Sequence, residues 1–141
     1  MCWHVIGGGD SRPKVEHLIR EHGVENGVIL LGTSTNPYMR GCDIYVQPSY
    51  TEGCSTTFCE AGMLGKAIVG TRPSSGIYGQ ITDGEDGLIV DATAEGLMKG
   101  ILHLIEDESI RHQFENNIQK KNLEGKEEIK KFLAVFSNET K

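Results

Sequence analysis

Short apolar runs alternate with amphipathic stretches along this chain of 141 residues. The run from Cys2 to Ile6 has strand length, and Gly7-Gly8-Gly9 turns the chain after it. Ser11 stands where a helix cap would, with Pro13 early in the helix. Val15, Leu18, Ile19 and His22 then recur at helical spacing, and Gly23 closes the element. Val28 to Leu31 is a second strand. Asn36-Pro37 starts a short helix that Gly41 ends, and Asp43 to Val46 is a third strand. A turn at Gly53 to Thr56 leads into a helix that carries Glu60. Ala67 to Thr71 is a strand, 72 to 79 a loop rich in Ser, Pro and Gly, and Gly87 to Val90 a last short strand. Helices follow at about 94–106, 108–121 and 126–136. The last shows Ile129, Phe132, Leu133 and Phe136 as an i, i+3, i+4, i+7 stripe. If exposed, that stripe would suit a dimer contact; sequence leaves the oligomeric state open.

Strands alternating with helices predict an α/β fold: a Rossmann-like, mostly parallel sheet flanked by helices. One domain over 1–141 is the natural expectation at this length, with 117–141 as a C-terminal helical extension. Ligands of such sheets bind beyond the carboxyl ends of the strands. Both glycine loops and the Gly53 turn fall at such ends.

Net charge changes the picture by exclusion. Fourteen basic against twenty acidic residues give −6, which argues against a nucleic-acid binder needing a basic face. No apolar run approaches the length of a membrane span. The Met1-Cys2-Trp3-His4 opening shows no signal-peptide pattern, so cytoplasmic residence with reduced thiols is expected. Four cysteines, Cys2, Cys42, Cys54 and Cys59, form no CxxC pair. Cys2 and Cys42 read as small apolar strand residues and Cys59 as packing on the core side of its helix. Cys54 lies in the turn itself, where a catalytic thiol is a minor alternative. The histidines have no spacing that suggests a metal site.

The candidate chemistry lies in Pro48-Ser49-Tyr50-Thr51-Glu52-Gly53-Cys54-Ser55-Thr56-Thr57-Phe58-Cys59-Glu60-Ala61-Gly62. Backbone N–H groups at a helix N-terminus lack intrahelical partners and favour an anion such as a diphosphate. Glu52 before the helix and Glu60 about one turn inside it can each accept hydrogen bonds from sugar hydroxyls. Hydroxyls at both ends with a phosphate between describe a nucleotide sugar. Thr57-x-x-Glu60 also reads as a capping box, and Glu52 as a solvated loop acid.

These residues resemble a known family. Pro48-Ser49-Tyr50-Thr51-Glu52-Gly53, Glu60-Ala61, Gly65-Lys66-Ala67-Ile68-Val69 and Asp83-Gly84-Glu85-Asp86-Gly87-Leu88-Ile89-Val90 follow, in order, the motifs of retaining GT-B glycosyltransferases of the group 1 (family 4) type. Val5-Ile6-Gly7-Gly8-Gly9 and Leu30-Leu31-Gly32 also fall in the family's order, so the likeness runs over about residues 3 to 118. The resemblance implies the C-terminal, donor-binding half of such an enzyme. Glu60 would bind the ribose hydroxyls. Glu52 would contact the transferred sugar and stabilise positive charge as the glycosidic bond breaks. The amides of Gly53, Cys54, Ser55 and Thr56 would hold phosphate or sugar oxygens. Gly32 and Thr33 would form a wall for the base. No cofactor or metal is implied beyond the donor.

The resemblance also implies a piece of a longer protein. An acceptor-side domain would precede it, as would an initial strand and helix bearing an Arg and a Lys for the diphosphate. A glycan or lipid-linked glycan acceptor would bind through that missing domain, and the whole protein could associate with a membrane. Surface polysaccharide or glycoconjugate synthesis is the expected setting. Two departures are plain: Cys54-Ser55-Thr56 replaces the family's usual bulky and glycine residues, and Ser75-Gly76-Ile77-Tyr78-Gly79-Gln80 replaces Gly-Gly-x-x-Glu. Both put the donor sugar in doubt. Rival expectations are an epimerase or phosphorylase of the same architecture, or a non-catalytic binding module. A phosphorylase would want a cofactor lysine, whereas Lys66 reads as the end of a helix.

Overall fold

The computed structural model describes residues 1–33, 36–72, 79–121, 123 and 125. The chain divides into two compact units, Met1–Gly41 and Cys42–Lys141.

In the first unit, β1 (Trp3–Ile6) pairs in parallel with β2 (Val28–Gly32), Trp3 opposite Val28 and Val5 opposite Leu30. Helix α1 (Arg12–Glu21) makes the crossover. Ser11 holds the N-cap position without a side-chain bond, and Pro13 sits in the first turn, where its missing N–H costs nothing. The helix ends in a Schellman motif: Gly23 at φ +62° lets its N–H reach Arg20 O and the Val24 N–H reach Ile19 O. The Gly7 N–H donates to Gly32 O at 2.6 Å, so the loops after β1 and β2 are tied together at their carboxyl ends. A short helix, α2 (Asn36–Gly41), follows as expected.

In the second unit, β3 (Ile44–Gln47), β4 (Ala67–Arg72) and β5 (Leu88–Asp91) form a three-stranded sheet in the order β3-β4-β5, all parallel. Helices α3 (Thr56–Met63), α4 (Ala94–Glu106) and α5 (Glu108–Ile118) all pack against β4. Ala67 through Thr71 are consecutive and all buried. A strand buried at every position is covered on both faces, which parallel crossovers produce. Ile68, Val69, Phe58, Leu104 and Ile118 form the core with it. Gly100 lets α4 lie close to β5, since a Cβ there would come within 2.7 Å of Val90 Cγ1.

The Asp83–Gly87 segment is a built turn. Gly84 at φ +77° donates to Gly87 O, and Asp83 Oδ1 accepts from the Ile89 N–H at 2.8 Å. Asp86 is buried, accepts from the Thr82 N–H at 2.7 Å and pairs with Lys121.

The structure corrects some expected details. Cys2 is exposed ahead of β1, and Cys42 precedes β3 rather than sitting in it. The cap of α3 is Ser55, whose Oγ accepts from the Phe58 N–H, not Thr57. The capping-box reading of Glu60 therefore fails. The expected helix at 126–136 with its apolar stripe, and residues 75–78 of the departing loop, lie outside the described residues.

Candidate functional site

Strand β3 ends at Gln47 because Pro48 carries no N–H for the ladder. The chain beyond is fixed to the neighbouring strand, where the buried Thr71 Oγ1 donates to Ser49 O at 2.7 Å. Two side chains on one face of β3, Tyr45 and Gln47, then organise a polar network. Gln47 Nε2 donates to Glu52 Oε1 at 2.8 Å and reaches Ser49 Oγ at 3.4 Å. Gln47 Oε1 accepts from the Tyr45 hydroxyl at 2.8 Å and from Ser55 Oγ at 2.9 Å. Ser49 Oγ adds a second donor to Glu52 Oε1 at 2.9 Å. Thr57 Oγ1 joins the network beside Tyr45 and Ser55. Gln47 is only 8% exposed, and both ends of its amide are matched, which is how a buried amide avoids a desolvation cost. Burial pushes the Tyr45 phenol above its usual range, so it stays protonated and able to donate.

Glu52 is thus a carboxylate in a fixed orientation rather than a solvated loop acid. Glu60 is its opposite. It is exposed on α3, and among the described residues its carboxylate has no hydrogen-bond or salt-bridge partner.

The turn between them is clamped by Gln80, itself buried. Its Oε1 accepts from the Ser55 N–H at 3.3 Å, and its Nε2 donates to Ser55 O at 2.9 Å. The Ser55 amide, expected to be open to a ligand, is therefore taken inside the protein. Ser55 also spends its hydroxyl on the cap. Of the four amides that a helix start leaves without intrahelical partners, those of Thr56 and Thr57 remain without a partner among the described residues. Gly53 and Cys54 are exposed just before them.

Gly32 and Thr33 stand in the first unit, at the end of β2. Gly32 adopts φ +75°, and Thr33 Cγ2 is 3.4 Å from where a Cβ on Gly8 would be. Among the described residues, no group of three or more His, Cys, Asp and Glu could hold a metal ion. No helix among them is long and apolar enough to cross a membrane.

Three side chains that hold the site residues in place have no role assigned from sequence: Gln47, Tyr45 and Gln80. The first two had a signal, since polar groups two apart in an otherwise apolar strand share one face. Gln80 stood out only as the end of the departing 75–80 loop, and its hold on Ser55 had no signal, because that partner lies 25 residues back along the chain.

Parallel strands flanked by helices, with a helix start beyond a strand's carboxyl end, define an α/β protein of the kind whose ligands bind at such ends. The sequence profile described as Glycosyl transferases group 1 matches residues 2–121, and the chain belongs to that family. Among its relatives, the Campylobacter jejuni N-acetylgalactosamine-N,N'-diacetylbacillosaminyl-diphospho-undecaprenol 4-alpha-N-acetylgalactosaminyltransferase is 32% identical over 115 residues, covering 79% of this chain and 32% of that protein. A second enzyme of that organism, the N,N'-diacetylbacillosaminyl-diphospho-undecaprenol alpha-1,3-N-acetylgalactosaminyltransferase, is 31% identical over 137 residues, covering 94% of this chain and 36% of that protein. The chain spans about a third of the length of these curated relatives. In fold it is similar to Anabaena HepE, crystallised in complex with UDP, at a TM-score of 0.81 and 22% identity over 96% of this chain and 41% of that one. It is also similar to the C-terminal domain of a group 1 family glycosyl transferase from Francisella tularensis, at a TM-score of 0.69 and 23% identity over 78% of this chain and 59% of that one. The GT-B half expected from sequence is thereby established as the fold.

Proposed function

We propose that this chain is the donor-binding part of a retaining glycosyltransferase, which moves a sugar from a nucleoside diphosphate to a hydroxyl acceptor. One observation carries the proposal. Glu52, just before α3, is held by Gln47 and Ser49, while Glu60, inside α3, is exposed and has no partner among the described residues.

A carboxylate and amides that have no partner among the described residues are available to a ligand. Glu60 accepts hydrogen bonds from the two ribose hydroxyls. The amides of Gly53, Cys54, Thr56 and Thr57 receive diphosphate oxygens. As the glycosidic bond breaks, negative charge grows on that diphosphate, and fixed donors lower the barrier most where charge develops. Glu52 faces the transferred sugar. Its fixed orientation suits a group that accepts from a sugar hydroxyl and stabilises the oxocarbenium-like carbon.

The donor is the only small molecule the chemistry calls for, with no metal. The relatives from Campylobacter jejuni carry names that specify diphospho-undecaprenol-linked acceptors. They support a glycan or lipid-linked acceptor, bound outside this chain, and a role in surface glycan assembly. The reaction would take place on the cytoplasmic side, where nucleotide sugars are made.

The stereochemical claim has a direct test. The whole protein of which this chain is part should give a glycoside whose anomeric configuration, read by proton NMR, equals that of the donor. An inverted product would overturn the retaining assignment.

A further inference from the structure

Helix α3 is entered through an unusual pair. With Ser55 as cap, Cys54 is the residue before the cap and Cys59 lies in the second turn. These are the two positions that commonly carry an apolar staple fixing the entry angle of a chain. Here both are thiols. Gln80 Nε2 donates to Cys59 Sγ at 2.9 Å and to Cys54 Sγ at 3.6 Å, so one amide hydrogen-bond donor serves both sulfurs. Cys54 is exposed and Cys59 half-buried. Cys2 and Cys42 belong to other parts of the chain and do not share this donor.

We propose that Cys54 and Cys59 form a dithiol modification site, converted to an intramolecular disulfide by low-molecular-weight disulfides such as oxidised glutathione. The exposed Cys54 thiolate attacks one sulfur of the oxidant, expelling one glutathione thiol and forming a mixed disulfide. The Cys59 thiolate then attacks the Cys54 sulfur, and the second glutathione leaves. Two protons and two electrons pass from the protein thiols to the glutathione disulfide, which becomes two thiols. Burial pushes the Cys59 thiol up, opposed by its hydrogen bond from Gln80. That order of exposure suits Cys54 as the residue that attacks the oxidant first and Cys59 as the resolving one.

The bond would bear on the neighbouring turn. Gln80 holds both the N–H and the C=O of Ser55 with the same amide that faces the two sulfurs. Closing the disulfide therefore alters the clamp on the start of α3. The consequence for donor binding rests on the function proposed above; the disulfide itself does not.

The test is a titration of the full chain in reduced and oxidised glutathione, with alkylation and peptide mass mapping. The expected result is a Cys54–Cys59 disulfide while Cys2 and Cys42 remain alkylatable. Its equilibrium constant should exceed that of the same pair in the guanidinium-unfolded chain by about tenfold or more, since the fold holds the thiols together. A stable mixed disulfide at Cys54 that Cys59 never resolves would overturn the proposal. So would pairing with Cys2 or Cys42, or no gain over the unfolded chain. None of these outcomes depends on nucleotide, so a failure here and a failure of the donor-site reading are told apart.

Discussion

Gln47→Leu should destabilise the second unit by about 3 kcal/mol, although leucine fills nearly the same space. The loss is polar rather than steric. Gln47 Oε1 accepts from Tyr45 and Ser55, and its Nε2 donates to Glu52. Removing that amide leaves two hydroxyls short of an acceptor and a carboxylate short of a donor in a largely buried place. An unmet buried polar group costs about 1–3 kcal/mol, and members of one network do not add simply. Ser55 is also the cap of α3, so part of the penalty arrives through the helix start. Urea denaturation of the wild type and the variant measures the difference. A change under about 1 kcal/mol would mean that water replaces the amide and that the network does not hold Glu52.

Phe58→Ala should cost more, about 3–5 kcal/mol, the range for emptying a fully buried aromatic site. Phe58 is 0% exposed, and its ring meets Tyr45 edge-on with centroids 6.3 Å apart. Its amide is the donor that Ser55 caps. One residue therefore anchors α3 by its ring and begins it by its backbone. Truncation removes the ring packing and leaves the backbone bond, so α3 should loosen at the end that carries Glu60. A fall in Tm of roughly 15 °C is expected for a unit of this size. Phe58→Leu should keep most of the stability. If alanine lowered Tm by only a few degrees, the core would be collapsing around the gap, and α3 would not depend on this anchor.

The order of strands and helices was legible because each element has its own period and its own punctuation. Gly23, Gly41 and Pro48 stop elements for stereochemical reasons that any neighbourhood respects, and α1, α2 and β3 end at or beside them. Helix α4 begins and ends where its pattern begins and ends. Local capping was less legible. Ser55, Thr56 and Thr57 are all competent caps, and three-dimensional company decides among them: Gln47 and Gln80 bind Ser55. The two glutamates were legible as a pair, but not their difference. That Glu52 is held while Glu60 is bare follows from Gln47 and Ser49 facing one and nothing among the described residues facing the other. Gln80 was legible as part of a departing loop but not as the clamp on Ser55. A side chain that acts across 25 residues leaves no local trace in sequence.

The account stands or falls on Glu60. Its carboxylate is exposed and has no partner among the described residues, so Glu60→Ala should leave the stability of the free protein unchanged within about 0.5 kcal/mol. The decisive measurement is thermal stability of wild type and Glu60→Ala against uridine, guanosine, adenosine and cytidine diphosphates, on the whole protein that contains this chain. One nucleotide should stabilise the wild type, by about 2.7 kcal/mol at a hundredfold excess over its Kd, and that shift should vanish in the variant. An equal shift in both proteins, or none for any nucleotide in the wild type, would contradict the assignment of a donor site to the start of α3.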